Sequence, residues 1–227
     1  MPAETILEGQ AERDAKAVER LVLFTDAVVA IIITLMVLEV KPPALPHHAT
    51  DRQLLDELAH SWPKFLAVLV SFLVIGLFWT MHHRHFNWVR RVTGRVVWLN
   101  LLYLLALATI PYATAVLAEH PGRTGTILYA STLAVVSCIS ALLWWALSRD
   151  PDIVPHEPAR HAMQVGTATS LAAAAIFASS IGIAMIGTTL ARCFWILVLF
   201  SHLLVHRIDR RRASKPTPAT PGPTPDA

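Results

Sequence analysis

Asp26 lies inside an otherwise apolar run, Leu21–Val40, about five residues from its start. At 1.5 Å per residue that is roughly 7.5 Å deep in a helix. A carboxylate in such a run is costly in hydrocarbon and normally faces protein or water. Two kinds of chemistry suit it. Neighbouring helices can satisfy it as a buried hydrogen-bond acceptor, or it can serve directly as an ion or proton site.

Helix geometry separates Asp26 from a second feature of the same run. Ile31, Leu35 and Leu38 follow an i, i+4, i+7 spacing. At 100° per residue they fall at 0°, about 40° and about −20°, with Thr34 near −60°. Asp26 falls near −140°, on the other side. Arg20 is separated from Asp26 by about 120°, so partners for both are expected from other helices. A stripe of Ile31, Leu35 and Leu38 is either ordinary core packing or the lining of an axis.

The partners for Asp26 are expected near Trp79, His82, His83, His85 and Asn100. Trp79, His83 and Phe86 share a face by i, i+4, i+7 spacing. An Arg20–Asp26–His83–Trp79–Asn100 cluster would satisfy its members in a low-dielectric layer. The three histidines also invite a metal reading. There is no HExxH and neither a second His pair nor a Cys nearby, so the hydrogen-bonded reading outweighs it. No GxSxG, P-loop or GxGxxG occurs. The chain is not read as an enzyme, and no cofactor is expected.

The elements that must position these residues are membrane spans. Of 227 residues, 54% are apolar and 15% charged, against about 25% charged in an average soluble domain. The apolar residues fall in blocks of roughly twenty, the length that crosses a bilayer core of about 30 Å. The blocks are Leu21–Val40, Trp62–Met81, Val96–Leu117, Gly125–Leu147, Val165–Ile186 and Leu190–Val205. An all-α integral membrane protein with six spans follows. The division is 1–20 as an N-terminal segment, 21–206 as the six-helix domain and 207–227 as a basic, then Pro-rich tail expected to be disordered. The first block begins behind a mixed-charge helix and lacks a small-x-small cleavage site, so it is not read as a signal peptide.

Charge sets orientation. Net charge is +3. Most of the 19 Lys and Arg residues, including Arg13, Arg20, Arg84, Arg90, Arg149 and Arg207–Arg212, fall on one side of this topology. Positive-inside places that side, with both termini, in the cytoplasm. The basic residues sit at span ends, so lipid is the expected partner and nucleic acid is not. Glu39 is expected to pair with Lys41 or water, or to draw cations to a mouth. Cys138 and Cys193 are expected to act as small packing residues. His202 is expected to bond across helices. The small residues of the fifth span, Gly166 to Gly182, suggest close packing.

Arg20-x-x-x-Phe24-Thr25-Asp26 resembles the R-x-x-x-F-S-D signature of the transmembrane protein 175 family, the endosomal and lysosomal potassium channels and their prokaryotic relatives. Ala30–Leu35, Leu38–Val40, Phe78-Trp79, His82-His83-Arg84, Asn100-Leu101-Leu102 and Ile110-Pro111-Tyr112 are also similar. The resemblance covers about Arg20–Pro111. Thr25 stands where Ser is commoner and keeps the hydroxyl.

That resemblance implies a homotetramer with a pore formed by the first helix of each subunit. It implies potassium as the permeant ion, no TVGYG filter and no soluble substrate. Ile31 falls on the main hydrophobic constriction, Leu35 and Leu38 on further pore layers, and Thr34 on a polar layer tied to potassium preference. Arg20, Phe24, Thr25 and Asp26 belong to the structural network behind the pore. The expected activity is a potassium-preferring cation channel, gated by dewetting of its hydrophobic ring, in a prokaryotic inner membrane. The competing reading is a proton-coupled secondary transporter using Asp26, His83 or His202. Broken mid-membrane helices and paired repeats would favour it, and neither is evident.

Overall fold

The computed structural model describes residues 3–43, 45–46, 48–195 and 198. The tail at 207–227, His202 and most of the sixth block lie outside them. Among the described residues seven helices are labelled: α1 (Ala3–Leu38), α2 (Asp51–His60), α3 (Trp62–Phe86), α4 (Gly94–Ala108), α5 (Ile110–Glu119), α6 (Arg123–Ser148) and α7 (Glu157–Ala184). A further helical stretch covers 188–195. Among the described residues there are five segments long and apolar enough to span, with α4 and α5 forming one of them. The chain is an integral membrane protein with an all-helical fold.

The polar segment before Leu21 continues into the first span as one helix, so α1 is 36 residues long. It stops at Leu38, just before Lys41-Pro42-Pro43. The residue before proline is pushed out of the helical region, and proline has no N–H to continue the ladder. Pro63 falls in the first turn of α3, where its missing N–H has no intrahelical partner to lose.

Two elements depart from the sequence expectation. The third span is divided at Thr109, with Pro111 in the first turn of α5. A proline ring clashes with the carbonyl four residues back, and Thr109 closes the preceding turn by donating its N–H and its hydroxyl to Ala106 O. The second departure is α2, which lies in the connection between the first two spans. Its start is a capping box between Thr50 and Gln53, a pairing that satisfies two otherwise orphaned groups.

Successive spans alternate in direction, with α4 and α5 counting as one, and their ends fix the layout. Lys41 meets Glu119 at 3.8 Å, and Arg123 Nη2 donates to Met185 O at 3.1 Å. These mark the end where α1 and α5 finish and α6 begins. At the opposite end Arg90 N donates to Ile153 O at 3.0 Å, and Arg91 approaches Asp14 at 3.9 Å.

The central core is built on α6 and α7. Along α7 the buried residues include Ala159, Met163, Gly166, Ser170, Ala173, Phe177, Ser180 and Ala184, an i, i+3/i+4 ladder of mainly small side chains. Small residues let helix backbones approach where no water drives them together. Ser140 and Ser170 hydroxyls meet across the two helices at 3.2 Å. At Gly166 the approach is so close that an added Cβ would lie 2.2 Å from His85 Nε2. Cys138 and Cys193 are both exposed, in place of the buried packing expected of them.

Candidate functional site: the two faces of the first helix

The first span has two distinct faces. Thr25, Val29, Ile32 and Met36 are buried, each at 3% exposure or less. Leu21, at 9%, lies on the same side. Ile31, Leu35 and Leu38 are 59%, 44% and 73% exposed, and Thr34 is exposed with them. Relative to Ile31 the buried residues occupy an arc from about 80° to about 160°, and the stripe centres near 0°. The bundle therefore packs one side of α1 and leaves the stripe uncovered.

Exposure of apolar residues does not by itself mark a protein interface in a membrane, because lipid covers them equally well. Thr34 is the polar member of the stripe. Its hydroxyl donates to Ile31 O at 2.9 Å. The hydroxyl proton is thereby used, and the oxygen lone pairs remain for an electropositive partner.

The buried face is held by directed hydrogen bonds. Thr25 Oγ1 donates to Leu21 O at 2.9 Å, and Asn100 Nδ2 donates to Thr25 Oγ1 at 2.8 Å. Asn100 Oδ1 then accepts from His82 Nε2 at 2.8 Å. An amide oxygen only accepts, so this contact puts a proton on His82 Nε2. The order of donors runs from α3 through α4 into the α1 backbone. Separately, Trp79 Nε1 donates to Asp26 Oδ1 at 2.7 Å, tying α3 to α1 directly.

The aromatic packing of this corner holds the donors in place. His82 is buried and stacked between Phe86 at 4.2 Å and Tyr103 at 5.2 Å, with Trp144 tilted beside it at 5.6 Å. Tyr103 in turn donates its hydroxyl to Phe78 O at 3.0 Å. His85 stacks on Trp144 at 4.4 Å and faces the Met81 and Ala162 carbonyls.

The structure thus brings together Thr25, Asp26, Trp79 and Asn100. His83 lies against the Trp79 ring at 5.6 Å and makes no hydrogen bond to Asp26 or Asn100; His82 takes the Asn100 contact instead. Phe24 is 48% exposed. It stands about 20° from Ile31, on the uncovered face and not in the network. Arg20 is exposed and makes no ion pair with Asp26. Lys41 pairs with Glu119, so Glu39 is not its partner. Among the described residues no three His, Cys, Asp or Glu side chains gather as a metal-binding set.

Comparison with known proteins gives a consistent result. Residues 20–111 match the family described as endosomal/lysosomal potassium channel TMEM175. A potassium channel of Streptomyces collinus is 36% identical over 135 residues, covering 57% of this chain and 64% of that protein. A potassium channel of Chamaesiphon minutus is 34% identical over 147 residues, covering 63% of this chain and 71% of its relative. The match to the Streptomyces protein thus spans less than two thirds of that protein's length. Among solved structures, a lysosomal potassium-selective channel TMEM175 homologue from Chamaesiphon minutus superposes with a TM-score of 0.71 at 28% identity. It covers 83% of this chain and 97% of the other.

Proposed function

Since this chain belongs to the TMEM175 family, we propose that it is a potassium-preferring cation channel assembled as a homotetramer around α1. The observation that carries the proposal is the two-faced first helix. One face is fixed to α3 and α4, while Ile31, Thr34, Leu35 and Leu38 are left uncovered on the other. Four copies of that face around an axis make a narrow apolar path with one polar layer.

In this assembly the Ile31 side chains form the tightest ring. A hydrophobic ring of this kind excludes water and resists an ion until it widens. Thr34 lies less than one turn away and offers oxygen lone pairs toward the same side. Those oxygens would replace part of the ion's hydration shell, the step at which cations are told apart. Asp26 and Asn100 act behind the wall by holding α1 in rotation.

Potassium efflux from proteoliposomes tests the reading. The expected result is potassium-driven flux well above empty vesicles, with potassium exceeding sodium. Flux that saturates with substrate and requires a proton gradient would instead identify a proton-coupled transporter. A folded preparation with neither behaviour would overturn the channel assignment.

A further inference from the structure

A cleft of about 410 Å³ lies between α3, α5, α6, α7 and the helical stretch 188–195, away from the first helix. Its α3 wall runs from Pro63 through Leu66, Val70 and Val74 to Phe78. The fifteen helical steps from Pro63 to Phe78 span roughly 22 Å, more than one leaflet of a core about 30 Å thick. Leu66 and Val70 are 47% and 40% exposed, so the cleft opens sideways onto hydrocarbon. Its occupant therefore comes from the bilayer and not from water.

One end of the cleft carries a cation. Arg192 lines it near Pro121, and its Nη2 donates to Pro121 O. Arg192 Nε is buried without a hydrogen-bond partner, and among the described residues no carboxylate pairs with this guanidinium. Glu119, two residues before Pro121, is taken by Lys41. A guanidinium at the membrane boundary reaches the headgroup layer, where lipid phosphates lie. Its fork of donors matches a phosphate diester, and in an anionic phospholipid no headgroup cation competes for that phosphate.

We propose that this cleft holds one acyl chain of an anionic phospholipid, with the lipid phosphate bound by Arg192. Trp195 lines the same cleft. Its indole N–H is already used on Ser180 Oγ at 2.9 Å, and its ring lies 5.1 Å from Tyr129. The Tyr129 hydroxyl is likewise used, meeting Ser71 Oγ at 2.8 Å. The polar groups along the walls are thus bonded away, which leaves an apolar slot with a single open cationic end.

Trp195 provides the readout. The full chain is reconstituted in phosphatidylcholine vesicles and titrated with phosphatidylglycerol carrying brominated acyl chains, which quench tryptophan on contact. Saturable quenching is expected at a mole fraction about tenfold lower than brominated phosphatidylcholine needs. Phosphatidylcholine carries the same phosphate, so the ratio reads the effect of its headgroup cation; tenfold corresponds to about 1.4 kcal/mol. The saturable component is absent from Trp195→Phe. Arg192→Gln removes the lipid preference, and Arg192→Lys keeps part of it. Equal quenching by the two lipids, a component unchanged in Trp195→Phe, or an undiminished preference in Arg192→Gln overturns the proposal. If Arg192→Gln does not fold, Arg192→Lys carries the comparison, and a preference as large as in the unaltered chain overturns the proposal.

Discussion

Asn100 Nδ2 donates to Thr25 Oγ1 at 2.8 Å, joining α4 to the buried face of α1. The same side chain accepts from His82 Nε2 on α3. One amide therefore sets the rotation of α1 against two neighbouring spans. Rotation decides which residues α1 leaves uncovered, so this bond connects the buried network to the exposed stripe.

Replacing Asn100 should matter more than replacing His82. Asn100→Ala breaks both contacts, whereas His82→Gln keeps an N–H donor for Asn100 Oδ1. A lost buried hydrogen bond costs about 1–3 kcal/mol, and less in membranes, where deleted bonds average about 0.6 kcal/mol. Thermal unfolding in detergent should rank wild type above His82→Gln and His82→Gln above Asn100→Ala. The reverse order would mean that His82 acts through its ring packing and not through Asn100.

Trp79→Phe should destabilise the α1–α3 contact by removing the donor to Asp26. Asp26→Asn keeps an acceptor for that donor and should be milder. Both variants should retain the ion preference of any assembled channel, because neither residue lies on the Ile31 stripe. A changed potassium-to-sodium ratio in Asp26→Asn, with assembly intact, would give Asp26 a direct role with the ion.

Gly166→Ala should disturb the α3–α7 contact, since its Cβ would sit 2.2 Å from His85 Nε2. Forcing volume into a packed site typically costs about 1–3 kcal/mol. His85→Ala empties the space that the methyl needs. The double variant should therefore be more stable than the sum of the two single changes allows, as residues in direct contact couple. Additive effects would show that α7 moves instead of His85.

Ile31→Ala and Met36→Ala separate the two faces of α1. Ile31 is 59% exposed, and Met36 is fully buried. Met36→Ala should cost about 2–5 kcal/mol as a core truncation and lower the unfolding temperature. Ile31→Ala should leave folding almost unchanged and raise potassium flux by widening the ring. Equal loss of stability in both would place Ile31 in a packed core.

Much of this arrangement is legible in the sequence, because helical periodicity is a local property. Angles of 100° per residue separate the stripe from Asp26, and they place Phe24 about 20° from Ile31. Grouping Phe24 with its motif neighbours conceals that position. The same rule cannot choose between His82 and His83. They are adjacent, about 100° apart, and the choice depends on how α3 is rotated against α4 in the folded bundle. The break at Thr109 had a local signal in Pro111, and α2 had one in its Thr50–Gln53 box. The Arg192 cleft had none, because its walls come from segments more than 100 residues apart.

The central claim is that one face of α1 lines the ion path, and cysteine modification reads this most directly. Leu38 and Val37 are both exposed, at 73% and 64%, but point about 100° apart. In a chain with Cys138 and Cys193 replaced by alanine, Leu38→Cys or Val37→Cys is introduced. Potassium flux is measured before and after a positively charged thiosulfonate reagent. Modification at Leu38→Cys is predicted to suppress flux, and the same reagent at Val37→Cys to leave it unchanged. Full labelling at Leu38→Cys with unaltered flux, or block at Val37→Cys alone, would contradict the assignment of the Ile31–Leu38 stripe to the pore.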